Sequence, residues 1–186
     1  MIKVYDFDKT LTYQDTSRLF LYFCSNSPMK KLSLFFLAIL SKVNLLSNLQ
    51  YKKISCNLVF KRMTKFDIEK LSIMFFESNP LILNSLGKSI KFNELVSQYI
   101  VTASPTCYVS KYFNDVPVIG TTFNFDSNGF FDGIKFNCFG SNKVLALRER
   151  GITEIDEFFT DSFSDTPLMK ISNVTYLVNR NQVRKL

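Results

Sequence analysis

The sequence contains no histidine and no tryptophan among its 186 residues. The absence of histidine excludes histidine nucleophiles, serine–histidine catalytic machinery and zinc sites with imidazole ligands. If the chain catalyses a reaction, carboxylate side chains are therefore the natural source of its acid, base and nucleophile.

Cysteine is also scarce, and no two cysteines stand in a Cys-x-x-Cys pair. The widely spaced Cys24, Cys56, Cys107 and Cys138 favour reduced thiols in a cytosolic protein. No basic and apolar leader precedes the acidic residue at position 6. We therefore expect no signal peptide and a cytoplasmic location.

Hydrophobic residues make up 46% of the chain, enough for one mid-sized domain or for a small core with an insertion. The net charge of +7 is concentrated in residues 15–95, which hold twelve Lys and Arg against five Asp and Glu. The rest of the chain has eleven charges of each sign. Either an anionic partner for this segment or a general drift towards lysine explains the imbalance.

The most informative pattern is Asp6-Phe7-Asp8, directly after the apolar-rich residues 1–5. Two carboxylates two residues apart at the end of a predicted strand suit Mg²⁺-assisted phosphoryl transfer. One carboxylate can attack phosphorus while the other moves the proton, and a cation between them offsets their repulsion. Isolated Asp-x-Asp pairs are mostly turn residues, so the value of this pair depends on whether the chain holds the other parts of a phosphate site.

Three more polar clusters occur in a fixed order, each after a predicted strand or at the start of a predicted helix. They are residues 102–105 (Thr-Ala-Ser-Pro), 140–143 (Gly-Ser-Asn-Lys) and 161–165 (Asp-Ser-Phe-Ser-Asp). Open α/β sheets bind their ligands where strands end, so the four clusters together predict one phosphate site.

In this order the four motifs resemble those of the haloacid dehalogenase-like (HAD) phosphohydrolases, in the branch with phosphoserine phosphatase and bacterial phosphatidylglycerophosphatase C. The resemblance implies an α/β fold with a Rossmann-like core, a mainly parallel sheet and an inserted α-helical cap. It assigns residues 1–14 and 96–186 to the catalytic core and residues 15–95 to the cap. A cap of this kind excludes water and selects the substrate.

The resemblance also implies an Mg²⁺-dependent phosphatase that works through a phospho-aspartate. Asp6 matches the nucleophile, and Asp8 matches the acid and base. Thr102 matches the hydroxyl that holds a phosphoryl oxygen, and Lys143 matches the lysine that screens charge between nucleophile and phosphate.

Four carboxylates are implied as Mg²⁺ ligands by the same resemblance. They are Asp6, Asp8, Asp161 and Asp165, with the carbonyl of Asp8 also facing the metal and Asp165 acting directly or through water. Ser104 is a further candidate for contact with the phosphate or the rest of the substrate.

The substrate is less well specified. Phosphoserine phosphatases usually carry glutamate nine residues after the nucleophile and asparagine in the last motif, where this chain has Asp15 and Ser164. Asp15 is a candidate substrate contact, and the Gln14-Asp15 pair is more like the phosphatidylglycerophosphatase-like members. We expect a small phosphate ester and favour a lipid-linked one, with a phosphosugar or phosphoserine as the soluble alternatives.

The apolar residues 32–41 lie between Lys30-Lys31 and Lys42. The segment is shorter than the roughly 20 residues that a spanning helix needs. Two interpretations stay open: a buried cap helix, or a basic segment resting on the anionic inner face of a membrane. A lipid-binding protein without turnover is the alternative from another class of function. No nucleic-acid-binding motif is present, so we expect no such partner.

Local patterns predict the elements around these motifs. Helices are predicted over residues 15–24, 27–46, 49–60, 67–76 and 143–150, a hairpin over 116–136 and a late strand over 171–178.

Overall fold

The computed structural model describes residues 1–91 and 93–186, and its strands form one seven-stranded sheet. The strands are β1 (Ile2–Tyr5), β2 (Ser97–Pro105), β3 (Val118–Phe125), β4 (Phe131–Phe136), β5 (Ile155–Thr160), β6 (Ser172–Asn179) and β7 (Gln182–Lys185). Their order across the sheet is β4-β3-β2-β1-β5-β6-β7.

The five central strands run parallel, and the edge strands β4 and β7 are antiparallel to their neighbours. In the middle of the sheet, Val4 of β1 pairs with Tyr99 on one side and Phe158 on the other. The carboxyl ends of β1, β2 and β5 therefore lie side by side at one edge. The predicted α/β class with a mainly parallel sheet is confirmed.

Eight helices occur in the described part of the chain. They are α1 (Thr16–Cys24), α2 (Pro28–Lys42), α3 (Asn48–Phe60), α4 (Lys65–Ser78), α5 (Ser85–Ser89), α6 (Thr106–Val109), α7 (Ser141–Arg148) and α8 (Thr166–Met169). Short 3₁₀ turns are present at Ser110–Tyr112 and Phe163–Asp165.

Most predicted elements are present, with small differences at their ends. The predicted hairpin is β3 and β4, and the late strand is β6. The helix predicted over 27–46 ends earlier, at Lys42, and Asn44 beyond it takes the left-handed conformation that often ends helices (φ 60°). The last strand β7 and the short α5, α6 and α8 were not predicted, because they have too few residues to show a periodic pattern.

Alternate residues of the central strands supply two separate cores, one on each face of the sheet. Val4, Val101 and Phe158 pack with α7 and α8 on one face. Tyr5 and Phe159 point to the other face and stack with ring centroids 4.8 Å apart.

The helices between β1 and β2 pack on that second face through aromatic side chains. Phe20 of α1 lies at the centre, with its ring 5.9 Å from Phe60 of α3, 5.3 Å from Phe75 of α4 and 4.5 Å from Tyr108 of α6. Since α6 follows β2, these contacts join the inserted helices to the sheet. The division of the chain into core and cap stays a prediction.

Helix α2 differs from its neighbours because Leu34 is the one fully buried residue in it. Its exposed apolar residues are Met29, Leu32, Phe35, Phe36, Ile39 and Leu40. The interpretation of this segment as a buried helix is therefore wrong. None of the described helices combines the length and apolar character needed to cross a bilayer.

The end of β2 approaches β3 closely at Gly120. A Cβ at this position would lie 2.7 Å from the carbonyl oxygen of Ser104, closer than packed atoms allow. The register between β2 and β3 also shifts between Val101 and Pro105. Glycine at position 120 thus lets the end of β2, which carries the second polar motif, pack tightly against β3.

Candidate active site

The first motif lies in a tight turn at the carboxyl end of β1. The backbone N–H of Asp6 donates to the carbonyl of Phe159 (2.9 Å), so the aspartate is still part of the sheet. Lys9 then takes a left-handed conformation (φ 58°), and its N–H donates to the Thr12 hydroxyl (3.0 Å). This turn places both aspartates of the motif at the edge where the parallel strands end.

Lys143 holds two carboxylates together in the interior. Its Nζ lies 2.7 Å from Oδ1 of Asp6 and 2.8 Å from Oδ1 of Asp165. Thr160 donates to Oδ2 of Asp165 (3.1 Å), which orients that carboxylate further. The first, third and fourth motifs are thereby brought together, as the sequence predicts.

The pKa values in this group reflect competition between burial and charge. Burial raises the pKa of Asp6 to about 6, although the charge of Lys143 opposes the shift. Burial alone would lower the pKa of Lys143, but Asp6 and Asp165 outweigh it and raise that pKa above its ordinary value. The lysine therefore stays charged across the physiological range.

Asp8 has a different environment, made of hydrogen-bond donors. The backbone N–H and the hydroxyl of Thr16 both donate to Oδ1 (2.6 Å each), and the Ser104 hydroxyl donates to Oδ2. Since the Thr16 proton goes to Asp8, Tyr108 must donate its own hydroxyl proton to Thr16 (2.7 Å). Burial, and then the charge of Asp15, raise the pKa of Asp8 to about 6.

The two hydroxyl residues of the second motif lie in different places. Both residues are fully buried, and the hydroxyl of Thr102 accepts from the backbone N–H of Ser104 (3.0 Å). Ser104 lines the cavity above the aspartates, and Thr102 does not. The resemblance assigned the phosphate contact to Thr102 and left Ser104 as a further candidate. Only the course of the backbone decides which of the two lines the cavity.

That cavity has a volume of about 240 Å³, and most of the residues that line it are polar or charged. Asp161 reaches it from the end of β5, and burial followed by the charge of Asp6 raises its pKa to about 6. Asp15 reaches it from the start of α1, where it caps the helix and pairs with Arg18 (3.1 Å). Asp161 and Asp15, which the sequence analysis predicts for this site, therefore both line the cavity.

The oxygen donors here suit a small hard cation. Both oxygens of the Asp8 carboxylate and both of Asp165 already have donors, whereas Lys143 bonds only Oδ1 of Asp6. Within the described residues, no group of three or more acidic, histidine or cysteine side chains forms a ready-made metal cluster. Mg²⁺ usually takes one or two carboxylates together with waters and substrate phosphate, so Asp6 and Asp161 fit it as direct ligands.

Sequence reasoning missed Lys52, which enters the cavity from α3. Its ammonium donates to the carbonyl of Ala103 (2.6 Å) and to Oδ1 of Asn137 (2.7 Å). Nothing in the local pattern separates Lys52 from the other lysines of the cationic segment. Its position becomes visible only in the folded chain, where its ammonium reaches the end of β2.

The sequence model of the haloacid dehalogenase-like hydrolase family matches residues 4–170. The chain belongs to this family. No curated protein sequence matches this hydrolase significantly. Its predicted family membership is confirmed, and with it the prediction that the chain is an enzyme of the HAD type. The narrower branch stays a prediction.

Solved structures with the same fold have little sequence identity to this hydrolase. A protein of unknown function from Bordetella pertussis Tohama I is 18% identical, with a TM-score of 0.77 over 91% of this chain and 85% of that one. A phosphoserine phosphohydrolase-like protein from Francisella tularensis subsp. tularensis SCHU S4 is 17% identical, with a TM-score of 0.63 over 93% and 84%. A phospho-aspartyl intermediate analogue of phosphoserine phosphatase is 13% identical, with a TM-score of 0.54 over 94% and 84%. At these identities the likeness shows the fold alone.

Replacing Lys143 by methionine should lower the free energy of unfolding by about 3–5 kcal/mol at pH 7.5, because two buried carboxylates lose their cation. The loss should be smaller at pH 5. With a pKa raised to about 6, Asp6 takes up a proton in the folded state below that pH and then needs no cation. Urea unfolding at both pH values measures the difference.

The matched control is Arg148→Met, which removes an exposed charge from the same helix α7 and should change stability by less than about 0.5 kcal/mol. A Lys143→Met variant as stable as the wild type at pH 7.5, or equally destabilised at both pH values, would contradict this account.

Proposed function

We propose that this hydrolase cleaves phosphate monoesters through a phospho-aspartate formed on Asp6. The observation that carries the proposal is the buried contact of Asp6 with Lys143, beside an Asp8 carboxyl that is held by three donors. A nucleophile, a fixed cation and a separate acid therefore meet in one polar cavity.

In the proposed first step, an oxygen of Asp6 bonds to phosphorus while the bond from phosphorus to the ester oxygen breaks. Asp8 donates its proton to that ester oxygen, which leaves as an alcohol. In the second step Asp8 takes a proton from water, and the water oxygen bonds to phosphorus. The bond between Asp6 and phosphorus breaks, so phosphate and the original carboxylate are released.

The pKa of Asp8, raised to about 6, supports these two roles. A carboxyl with this pKa holds a proton more readily than an ordinary aspartate, yet releases it near neutrality. The backbone N–H and the hydroxyl of Thr16 fix its orientation, and both stay in place when the Ser104 hydroxyl turns to the phosphate.

We further propose Mg²⁺ as the cofactor, which HAD phosphatases generally use. Asp6, Asp161 and the backbone carbonyl of Asp8 would hold it, and Asp165 would act through water because Lys143 and Thr160 occupy its oxygens. Bound there, the cation would supply positive charge to the phosphoryl oxygens.

Ser104, rather than the predicted Thr102, is proposed to hold a phosphoryl oxygen. Ser104 lines the cavity, and on binding of the ester its one hydroxyl proton would turn from Asp8 to a phosphoryl oxygen. Thr102 does not line the cavity, and its hydroxyl accepts from the backbone N–H of Ser104. This assignment changes the sequence prediction by two residues and keeps its chemistry.

A lipid-linked ester is the substrate that we favour, with the protein resting on an anionic membrane through α2. The exposed apolar side chains of this helix lie beside Lys30, Lys31 and Lys42, which complement anionic headgroups. Ser41, on the same helix, lines the cavity. A phosphorylated headgroup would thus enter the polar cavity while its acyl chains stay in the bilayer.

The first test is release of inorganic phosphate with Mg²⁺ and after chelation. Lipid phosphomonoesters in micelles should be hydrolysed in preference to phosphoserine and phosphosugars, and Asp6→Asn should abolish turnover because no nucleophile remains. Release from soluble esters alone would support the hydrolysis of phosphate esters and exclude the lipid-linked substrate. Release from none, with intact binding to vesicles, would favour the non-catalytic alternative.

A pair of substitutions distinguishes the roles of the two hydroxyls in the second motif. Ser104→Ala should lower kcat by about 100-fold or more, since it removes the donor proposed for the reacting phosphate and one of the donors to Asp8 in the free enzyme. Thr102→Val, which keeps the shape, should lower kcat far less. Steady-state kinetics on the best ester, after a thermal melt shows both variants folded, measures this. The opposite order would restore Thr102 as the phosphate contact.

Membrane contact is tested by the double change Phe35→Ser and Phe36→Ser. Binding to vesicles that contain phosphatidylglycerol should weaken about tenfold or more, because two exposed apolar side chains of α2 are lost. Co-sedimentation measures it. Phe66→Ser on α4 is the control, since Phe66 is equally apolar and 77% exposed. Equal binding by all three proteins would refute contact through α2.

A further inference from the structure

Lys52 is buried in the wall of the cavity, and the proposed reaction does not use it. The residue lies on α3 and is only 8% exposed. Besides Ala103 and Asn137, its ammonium has a third and longer contact, 3.4 Å to the Thr121 hydroxyl. Groups on β2, on β3 and just after β4 therefore fix the position of the ammonium.

All three acceptors are uncharged oxygens. Among residues 1–91 and 93–186 no carboxylate forms an ion pair with Lys52. Burial accordingly lowers the pKa of Lys52 to about 8. A buried cation without an anion is costly, and such groups are normally paired.

Lys143 provides the comparison within the same cavity. It is buried to a similar degree, but two carboxylates raise its pKa instead. The two lysines thus differ in their partners. The protein supplies carboxylates to Lys143 and only uncharged oxygens to Lys52. An anion bound in the cavity would balance the charge of Lys52.

Lys52 also stands close to the place where a phosphate would bind. Ala103, its nearest acceptor, directly precedes Ser104. Lys52 and Lys143 both line the cavity together with Asp6 and Asp8. The other cation on the helical side, Arg18, is already paired with Asp15. Among the described residues of the inserted helices, Lys52 is therefore the cavity-lining cation that has no carboxylate partner and could contact an incoming anion.

We propose that Lys52 is a substrate-binding residue whose ammonium contacts an anionic oxygen of the bound phosphate ester. This inference rests on the proposed hydrolysis of phosphate esters and adds a specificity determinant supplied by α3. The anionic oxygen belongs either to the phosphoryl group or to a second acidic group on the leaving alcohol. In both cases the ammonium would exchange its longest contact, to the Thr121 hydroxyl, for this anionic oxygen.

The test is binding measured by calorimetry, with no turnover required. Wild type, Lys52→Met, Lys52→Arg and the exposed control Lys53→Met are titrated with inorganic phosphate. In an Asp6→Asn background, the same changes are titrated with glycerol 3-phosphate and with 3-phosphoglycerate, which has an additional carboxylate. A thermal melt checks that each variant is folded. Lys52→Gln, which keeps a donor for Ala103, replaces the methionine variant if that one does not fold.

Lys52→Met should weaken binding by about 10- to 100-fold, the usual effect of losing a charged hydrogen bond, while Lys52→Arg and Lys53→Met keep most of it. Equal weakening for all three ligands assigns the contact to the phosphoryl oxygens. Weakening for 3-phosphoglycerate alone assigns it to the second anion. Unchanged binding of every ligand to folded Lys52→Met would overturn the proposal and leave Lys52 as a link between α3 and the sheet.

Failure of the proposed function would look different. If phosphate binding depends on Lys52 but no ester is hydrolysed, the subsite stands and the hydrolysis of phosphate esters does not. If esters are hydrolysed and folded Lys52→Met binds every ligand as the wild type does, the hydrolysis stands and the subsite does not.

Discussion

The buried ammonium of Lys143 is the interaction on which the site depends. It joins a carboxylate at the end of β1 to another after β5, from a helix that lies on one face of the sheet. Without it, two negative charges would face each other away from water, and the turn and loop that carry them would separate. The same contact prepares the chemistry, because it places a fixed positive charge beside the candidate nucleophile before any substrate arrives.

Around this centre the fold separates two carboxylate environments. Asp6 is held by a cation, whereas Asp8 is held by hydroxyl and amide donors from Thr16 and Ser104. Both pKa values are raised by burial, yet each carboxyl has different partners and so suits a different role. The parallel sheet makes this possible, since the ends of β1, β2 and β5 meet at one edge.

The inserted helices combine two surfaces of opposite character. Towards the sheet, α3 contributes the polar and charged part of the cavity wall, including Lys52. Towards the outside, α2 exposes apolar side chains next to lysines. A substrate with an acidic head and an apolar tail would satisfy both surfaces at once, whereas a small soluble ester would use only the first.

The sequence by itself determined the fold class and the family, and it named most of the acidic and basic residues that line the candidate cavity. Its information is local: strand and helix periodicity, and the order of acidic and basic residues along the chain. The tertiary structure decided what depends on distant segments meeting. Ser104 rather than Thr102 faces the cavity because of how β2 ends beside β3, and Lys52 reaches it because α3 packs there. The exposure of α2 is likewise a result of packing, since the same apolar residues would suit a buried helix equally well. Side-chain direction and burial arise from contacts between residues far apart in the chain, which no local pattern encodes.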